Sequence, residues 1–127
     1  MFFKLLLESL IAFLAIDSLW ITQVASPWMK KAVPHLMADN PNFLAAGAFY
    51  IIYLSTLLYL IVIPGLSQPL ASLAWKSFLF GFAAYATYDL TNLAVMKNFP
   101  WTMALADMLW GGILTMLTAL IIYKITT

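Results

Sequence analysis

The sequence specifies an all-α membrane protein, a bundle of four transmembrane helices, and three observations carry that reading. Of its 127 residues, 65% are hydrophobic and 9% charged, against about 45–50% and about 25% in soluble domains. Such a chain has too few charges to clothe a water-facing surface. Its apolar residues fall into four stretches, each long enough to cross about 30 Å of hydrocarbon at about 1.5 Å per residue. Proline-marked breaks at Ser26-Pro27, Asn40-Pro41, Pro64-Gly65, Gln68-Pro69 and Asn98-Phe99-Pro100 separate those stretches. Residues 1–127 read as one integral membrane domain, with the lipid bilayer as its first partner.

The first span covers residues 2–24. Met1 to Lys4 followed by an apolar run resembles a signal peptide, but Glu8 and Asp17 interrupt the run. No small-x-small cleavage site follows, so a retained helix is expected. Lys4 and Glu8 form an i,i+4 pair near its start. Ser26-Pro27 is expected to end it, leaving a polar loop with Trp28, Lys30, Lys31, Pro34, His35 and Asp39. Part of that loop fits a short interfacial helix with Trp28 as its aromatic anchor.

The second span, residues 41–63, opens on Asn40 as cap and Pro41 at the first helical position, and Pro64-Gly65 closes it. Ser67-Gln68-Pro69 leads into the third span, residues 72–96, whose first turns place Trp75 and a snorkelling Lys76 at the interface. After the tight turn at Asn98-Phe99-Pro100, the fourth span covers residues 101–123. Both termini then lie on one side. Lys4, Lys76, Lys124 and the terminal amine nearly balance Lys30, Lys31 and Lys97 across the membrane, and the count leans toward cytoplasmic termini.

Composition also excludes functions. A net charge of +1 from lysines alone, without arginine, does not supply the Lys/Arg clusters that bind nucleic acid. Without cysteine there is no disulfide, thiolate nucleophile or thiolate metal site. The single histidine, His35, reads as a solvated loop residue and builds no Ser-His or Cys-His arrangement.

The functional signal lies in Tyr85-Ala86-Thr87-Tyr88-Asp89-Leu90-Thr91-Asn92. A carboxylate in hydrocarbon costs about 3 kcal/mol on insertion scales and marks a functional site by default. Tyr85, Tyr88, Asp89 and Asn92 stand at i, i+3, i+4 and i+7, on one helix stripe. Asp17, Asp89 and Asp107 fall at depths of roughly 15, 12 and 10 Å from one membrane face. Tyr50 and Tyr53 of the second span reach the same level, so all four helices converge on one chamber. Trp20 follows Asp17, and Trp110 follows Asp107, by three residues. Each indole lies over its carboxylate's face, and Trp110 is deep enough to need a partner for its N–H. Trp28, Trp75 and Trp101 read as interfacial belt residues. Gly81, Gly111 and Gly112 read as close helix contacts, and Thr115 and Thr118 as hydroxyls bonded to their own backbone.

The Tyr85–Asn92 string together with Asp107-x-x-Trp110-Gly111 resembles a family of small, uncharacterised bacterial membrane proteins of four-span topology, over nearly the whole chain. The resemblance implies a bacterial inner-membrane location and no activity. The four-span plan is also similar to that of small multidrug-resistance exporters, but those carry one key carboxylate early in the first span, whereas Asp17 is late and has two companions.

Carboxylates without an arginine or lysine partner hold protons or a cation, and aromatic faces favour cations too. The leading reading is a chamber that binds or transports a proton, metal ion or small organic cation, formed by Asp17, Trp20, Tyr50, Tyr53, Tyr85, Tyr88, Asp89, Asn92, Asp107 and Trp110. Asp17, Asp89 and Asp107 are its candidate metal ligands. A rival is an intramembrane enzyme using a divalent metal such as Mg²⁺ on a lipid or isoprenoid phosphate. A third reading is a structural or accessory membrane subunit. At this size a homo-oligomer or a larger membrane partner is expected.

Overall fold

The computed structural model describes residues 1–36 and 42–127. Four helices, and no strand among the described residues, make the fold: α1 (Phe2–Ala32), α2 (Phe43–Gly65), α3 (Leu70–Val95) and α4 (Trp101–Thr126). Three of them, α1, α2 and α4, are long and apolar enough to cross a membrane. The 26-residue α3 matches them in length, but Lys76, Asp89 and its hydroxyl and amide side chains hold its hydropathy below theirs.

Two prolines do not end their helices as the sequence reading expects. The chain runs helically through Ser26-Pro27 to Ala32, after a π-helical turn at Ile21–Ala25. It runs likewise through Pro64, after a π-helical turn at Leu58–Val62. Inside an α-helix a proline removes one hydrogen bond and crowds the carbonyl four residues back. Those carbonyls belong to Gln23 and Leu60, and each lies within the wide turn that precedes its proline. The i→i+5 spacing there lets the helix pass the ring without breaking.

The first helix stops at Val33 instead, where φ is −138° and ψ is 58°. Val33 precedes Pro34, which disfavours the helical region for it. A single 3₁₀ turn, Pro34–Leu36, follows. The expected cap Asn40 and Pro41 lie outside the described residues. The second helix begins at Phe43, where the Asn42 side-chain oxygen accepts the Ala45 N–H at 3.0 Å. Pro69 leads directly into α3. Asn98 makes the turn before α4 at φ 63°, a left-handed conformation that asparagine tolerates better than most residues.

The most extensive pairing is α3 with α4. Gly81 lies against the Gly111 carbonyl and the Thr115 side chain, Gly111 lies under the ring of Tyr85, and Gly112 under that of Phe78. These are the expected close contacts. Leu5 and Phe13 of α1 complete a core with Leu54, Leu57, Leu58 and Val62 of α2, Leu73 of α3, and Leu114, Ala119 and Ile122 of α4. A smaller cluster of Phe99, Met103 and Ala104 packs under Trp28, Met29 and Met96. Outward, every helix exposes large apolar side chains, Phe3, Leu44, Leu79 and Leu117 among them. An apolar outer surface of this extent suits lipid and not water.

Candidate functional site

The site is built from Asp17 outward. This carboxylate is 5% exposed and accepts the Tyr50 hydroxyl at 3.2 Å on one oxygen and the Trp110 indole N–H at 3.1 Å on the other. One side chain therefore ties α1 to both α2 and α4, and the Trp110 N–H finds the partner its depth demands. Trp110 in turn stacks on Trp20, with ring centroids 5.0 Å apart and planes 9° from parallel. Phe13 meets the Tyr50 ring edge-on at 5.7 Å. Both donors to Asp17 are neutral, so they satisfy its lone pairs without cancelling its charge.

A second acidic centre joins α3 to α4. Asp89 of α3 and Asp107 of α4 line one small cavity. Asp89 is 2% exposed, and among the described residues no N–H or O–H reaches its Oδ2. Among the described residues none of the three aspartates is in an ion pair. The pair that forms is Lys4–Glu8 at 3.9 Å, near the start of α1.

The single chamber expected from the sequence is divided. A cleft of about 530 Å³ is lined by Asp17, Ile21, Phe49, Tyr50, Ala84, Tyr85, Tyr88 and Asp107. A cavity of about 100 Å³ is lined by Trp20, Ala25, Trp28, Met29, Tyr88, Asp89, Phe99, Met103 and Asp107. Asp107 and Tyr88 line both. The Trp20 indole N–H is buried and finds no partner among the described residues.

The helical stripe of α3 thus distributes its side chains along the way: Tyr85 to the large cleft, Tyr88 and Asp89 to the small cavity, and Asn92 to neither, although it lies one turn beyond Tyr88 and beside its phenol. Tyr53 also lies outside both spaces. It is buried in the core, and its hydroxyl pairs with Thr115 Oγ1 at 2.7 Å. Thr115 was expected to bond its own helix and instead joins α4 to α2, while Thr118 does bond its own helix, at the Leu114 carbonyl, 2.9 Å away.

Trp28, read as a belt residue, packs against the small methionine–phenylalanine cluster, because α1 continues past Pro27 and carries it there. Trp75 and Trp101 stand exposed, as belt residues would. Asp17, Asp89 and Asp107 do not form the metal-ligand set considered for them: among the described residues no group of three or more Asp, Glu or His side chains converges for a metal ion.

Sequence reasoning missed Phe49 and Ile21 in the cleft. Helical spacing carries the signal for both, since Ile21 is one turn beyond Asp17 and Phe49 one turn before Tyr53, on whose ring it stacks at 5.3 Å. Toward the other end of the bundle, a third pocket of about 410 Å³ is lined by Leu70, Leu117, Leu120, Ile121, Tyr123, Lys124 and Thr127. Among the described residues no carboxylate side chain lines it.

A family model described as "Predicted membrane protein (DUF2177)" matches residues 2–124. No curated protein and no solved structure matches the chain significantly.

Proposed function

We propose, for a chain that belongs to this family of predicted membrane proteins (DUF2177), that the large cleft binds a small organic cation within the membrane and serves its passage. One observation carries the reading. The cleft of about 530 Å³ presents two carboxylates, Asp17 and Asp107, among Phe49, Tyr50, Tyr85 and Tyr88, with no lysine on its wall. Its volume falls in the range of about 300–1,000 Å³ common for small-molecule sites.

Negative charge in a low-dielectric surround repels an anionic substrate and attracts a cation. Aromatic faces add about 0.5–2 kcal/mol for each well-placed cation contact. A bare metal ion would want converging oxygens, and the walls are mostly carbon. A phosphate-bearing lipid would need such a metal to offset the aspartates. The organic cation is the ligand that suits both the charge and the walls.

With this reading go four membrane crossings, a bacterial inner membrane, and both termini in the cytoplasm. The length of α3 and its close pairing with α4 support its crossing beside that helix. Assembly into a homo-oligomer, or with a larger membrane partner, follows from the small size of a single chain.

The test uses the purified protein in detergent and tetraphenylphosphonium as probe, read by calorimetry and by quenching of the Trp20–Trp110 pair. Asp17→Asn and Asp107→Asn should each weaken binding about tenfold or more, which corresponds to about 1.4 kcal/mol. Absence of binding to the unaltered protein, or equal binding by both variants, would refute the reading.

A further inference from the structure

The small cavity differs from the large cleft in what its walls leave unmet. Asp89 is almost wholly buried, and among the described residues no donor reaches its Oδ2. The Trp20 indole N–H is likewise buried, with no acceptor among the described residues. Both residues line one space of about 100 Å³. We infer that this cavity is a binding site for the hydroxyl group of an alcohol, which donates to Asp89 and accepts from Trp20. The inference goes beyond the cation reading of the large cleft and does not depend on it.

The two orphan atoms select the chemistry. Buried polar atoms are destabilising until they find a partner, so an occupant that serves both is favoured. A hydroxyl carries a donor and two acceptor lone pairs on one oxygen, and it serves both. A primary ammonium has donors only. It would satisfy Asp89 but set its own N–H groups against the indole N–H. An ether oxygen would accept from the indole and offer Asp89 nothing.

The remaining walls fit what the hydroxyl is attached to. Asp107 and Tyr88 add polar atoms on the side shared with the large cleft. Trp28, Met29, Phe99 and Met103 line the rest and belong to one apolar cluster. Water filling this space would amount to about three molecules at about 30 Å³ each, and each would want about three hydrogen bonds. Carbon and sulfur walls do not supply them. A short hydrocarbon chain suits those walls better, and thioethers adapt readily to an irregular apolar guest. On the same scale the space takes about four bonded non-hydrogen atoms, the size of propanol. The ligand is neutral, so its entry leaves the charge of the two aspartates as it was.

Two sources carry such a group: a short-chain alcohol in solution, and the hydroxyl end of a long-chain alcohol in the membrane. The experiment follows the intact protein in detergent micelles by NMR, with isotope labels at the tryptophan indoles and the methionine methyls. Trp20→Phe assigns the Trp20 indole resonance. The probe is n-propanol, with ethyl methyl ether and propylammonium as comparators of equal size. Propanol should shift the Trp20 indole proton downfield, saturably and in the roughly millimolar range open to so small a ligand. The Met29 and Met103 methyls should move with it. The two comparators, each able to serve one orphan atom, should bind at least about tenfold more weakly.

Asp89→Leu removes the acceptor at similar volume, and Trp20→Phe removes the N–H while keeping a ring to stack on Trp110. Read at the methionine methyls, each should weaken propanol about tenfold. The first should erase its advantage over the ether, and the second its advantage over propylammonium. Ala25→Leu, which fills the cavity from its own wall and leaves every polar group in place, should abolish the shift. The same indole shift from n-dodecanol would assign the hydroxyl to a membrane-borne alcohol, and a shift from propanol alone would assign it to a small solute; either sustains the site. No saturable shift with either alcohol would overturn it, as would propanol binding unchanged in Asp89→Leu. Propylammonium binding as tightly as propanol would overturn the hydroxyl assignment, whatever tetraphenylphosphonium does in the large cleft. The ligand series on the unaltered protein decides the matter even where a variant fails to fold.

Discussion

A single added methyl group tests how α3 and α4 hold the cleft open. At Gly111 a Cβ atom would fall within the ring of Tyr85, and the α3–α4 contact leaves that ring little room to withdraw except toward the cleft. Overpacking of this kind costs about 1–3 kcal/mol, so Gly111→Ala should destabilise by that much. In a Tyr85→Ala background the ring is gone. The same substitution should then cost nothing, or gain up to about 1 kcal/mol from the better helix propensity of alanine. The coupling between the two sites should exceed about 1 kcal/mol, well within the range of about 0.5–3 kcal/mol for residues in contact.

Gly81→Ala is the control. Its Cβ would meet the Gly111 carbonyl, a backbone group that cannot swing aside, so Tyr85→Ala should not rescue it. Thermal and SDS-driven unfolding in mixed micelles measures the unaltered protein and all five variants. Equal penalties for Gly111→Ala in both backgrounds would refute this account of the interface. The single Gly111→Ala variant should also bind tetraphenylphosphonium more weakly, since the displaced ring occupies cleft volume.

Other substitutions probe the aspartate and the turn. Trp110→Phe keeps a ring to stack on Trp20 but removes one of the two donors to Asp17. It should cost about 0.6 and at most about 1.7 kcal/mol, as interhelical hydrogen bonds do in membranes, and a double-mutant cycle with Asp17→Asn in the same unfolding assay should return that energy as coupling. Asn98→Gly should leave the unfolding midpoint almost unchanged, whereas Asn98→Ala should cost about 1–2 kcal/mol, because the φ of 63° brings its Cβ near the following carbonyl. A neutral alanine there would show that the turn relaxes out of the left-handed region.

Much of the fold was legible because lipid imposes hard limits. Stretches near Pro69 and Asn98-Pro100 were placed within two residues of their ends, since nothing apolar competes with those breaks. Counting residues brings Asp17, Asp89 and Asp107 to nearly one depth with Tyr50 and Tyr53 at the same level, and the depth of Trp110 alone demands a partner for its indole. Two things escaped. Pro27 was read as a stop because proline breaks α geometry, and no periodicity announces a wide turn upstream that absorbs the ring. The division of the polar chamber was also hidden. Stripe arithmetic on α3 groups Tyr85, Tyr88, Asp89 and Asn92, but the rotation of that stripe against α4 is fixed by Gly81 and Gly111. This rotation sends Asp89 toward Trp20 and leaves Asn92 outside.

The two wide turns carry a consequence for how this chain tolerates changes in length. A π-helical turn holds one residue more than the α-helical turn it replaces. Deleting one residue from Ile21–Ala25 would return the helix to α geometry and keep Asp17 and Trp28 on their present faces. Deleting one residue from the first half of α1 would rotate everything beyond it by about 100° and strip Asp17 from Tyr50 and Trp110. The ring of Pro27 then decides whether the shortened helix stands, since regular α spacing sets it against a carbonyl four residues back. A shortened Ile21–Ala25 should therefore require an alanine at position 27, and a shortened Leu58–Val62 an alanine at position 64. In each helix the extra residue and the proline form one unit, to be gained or lost together.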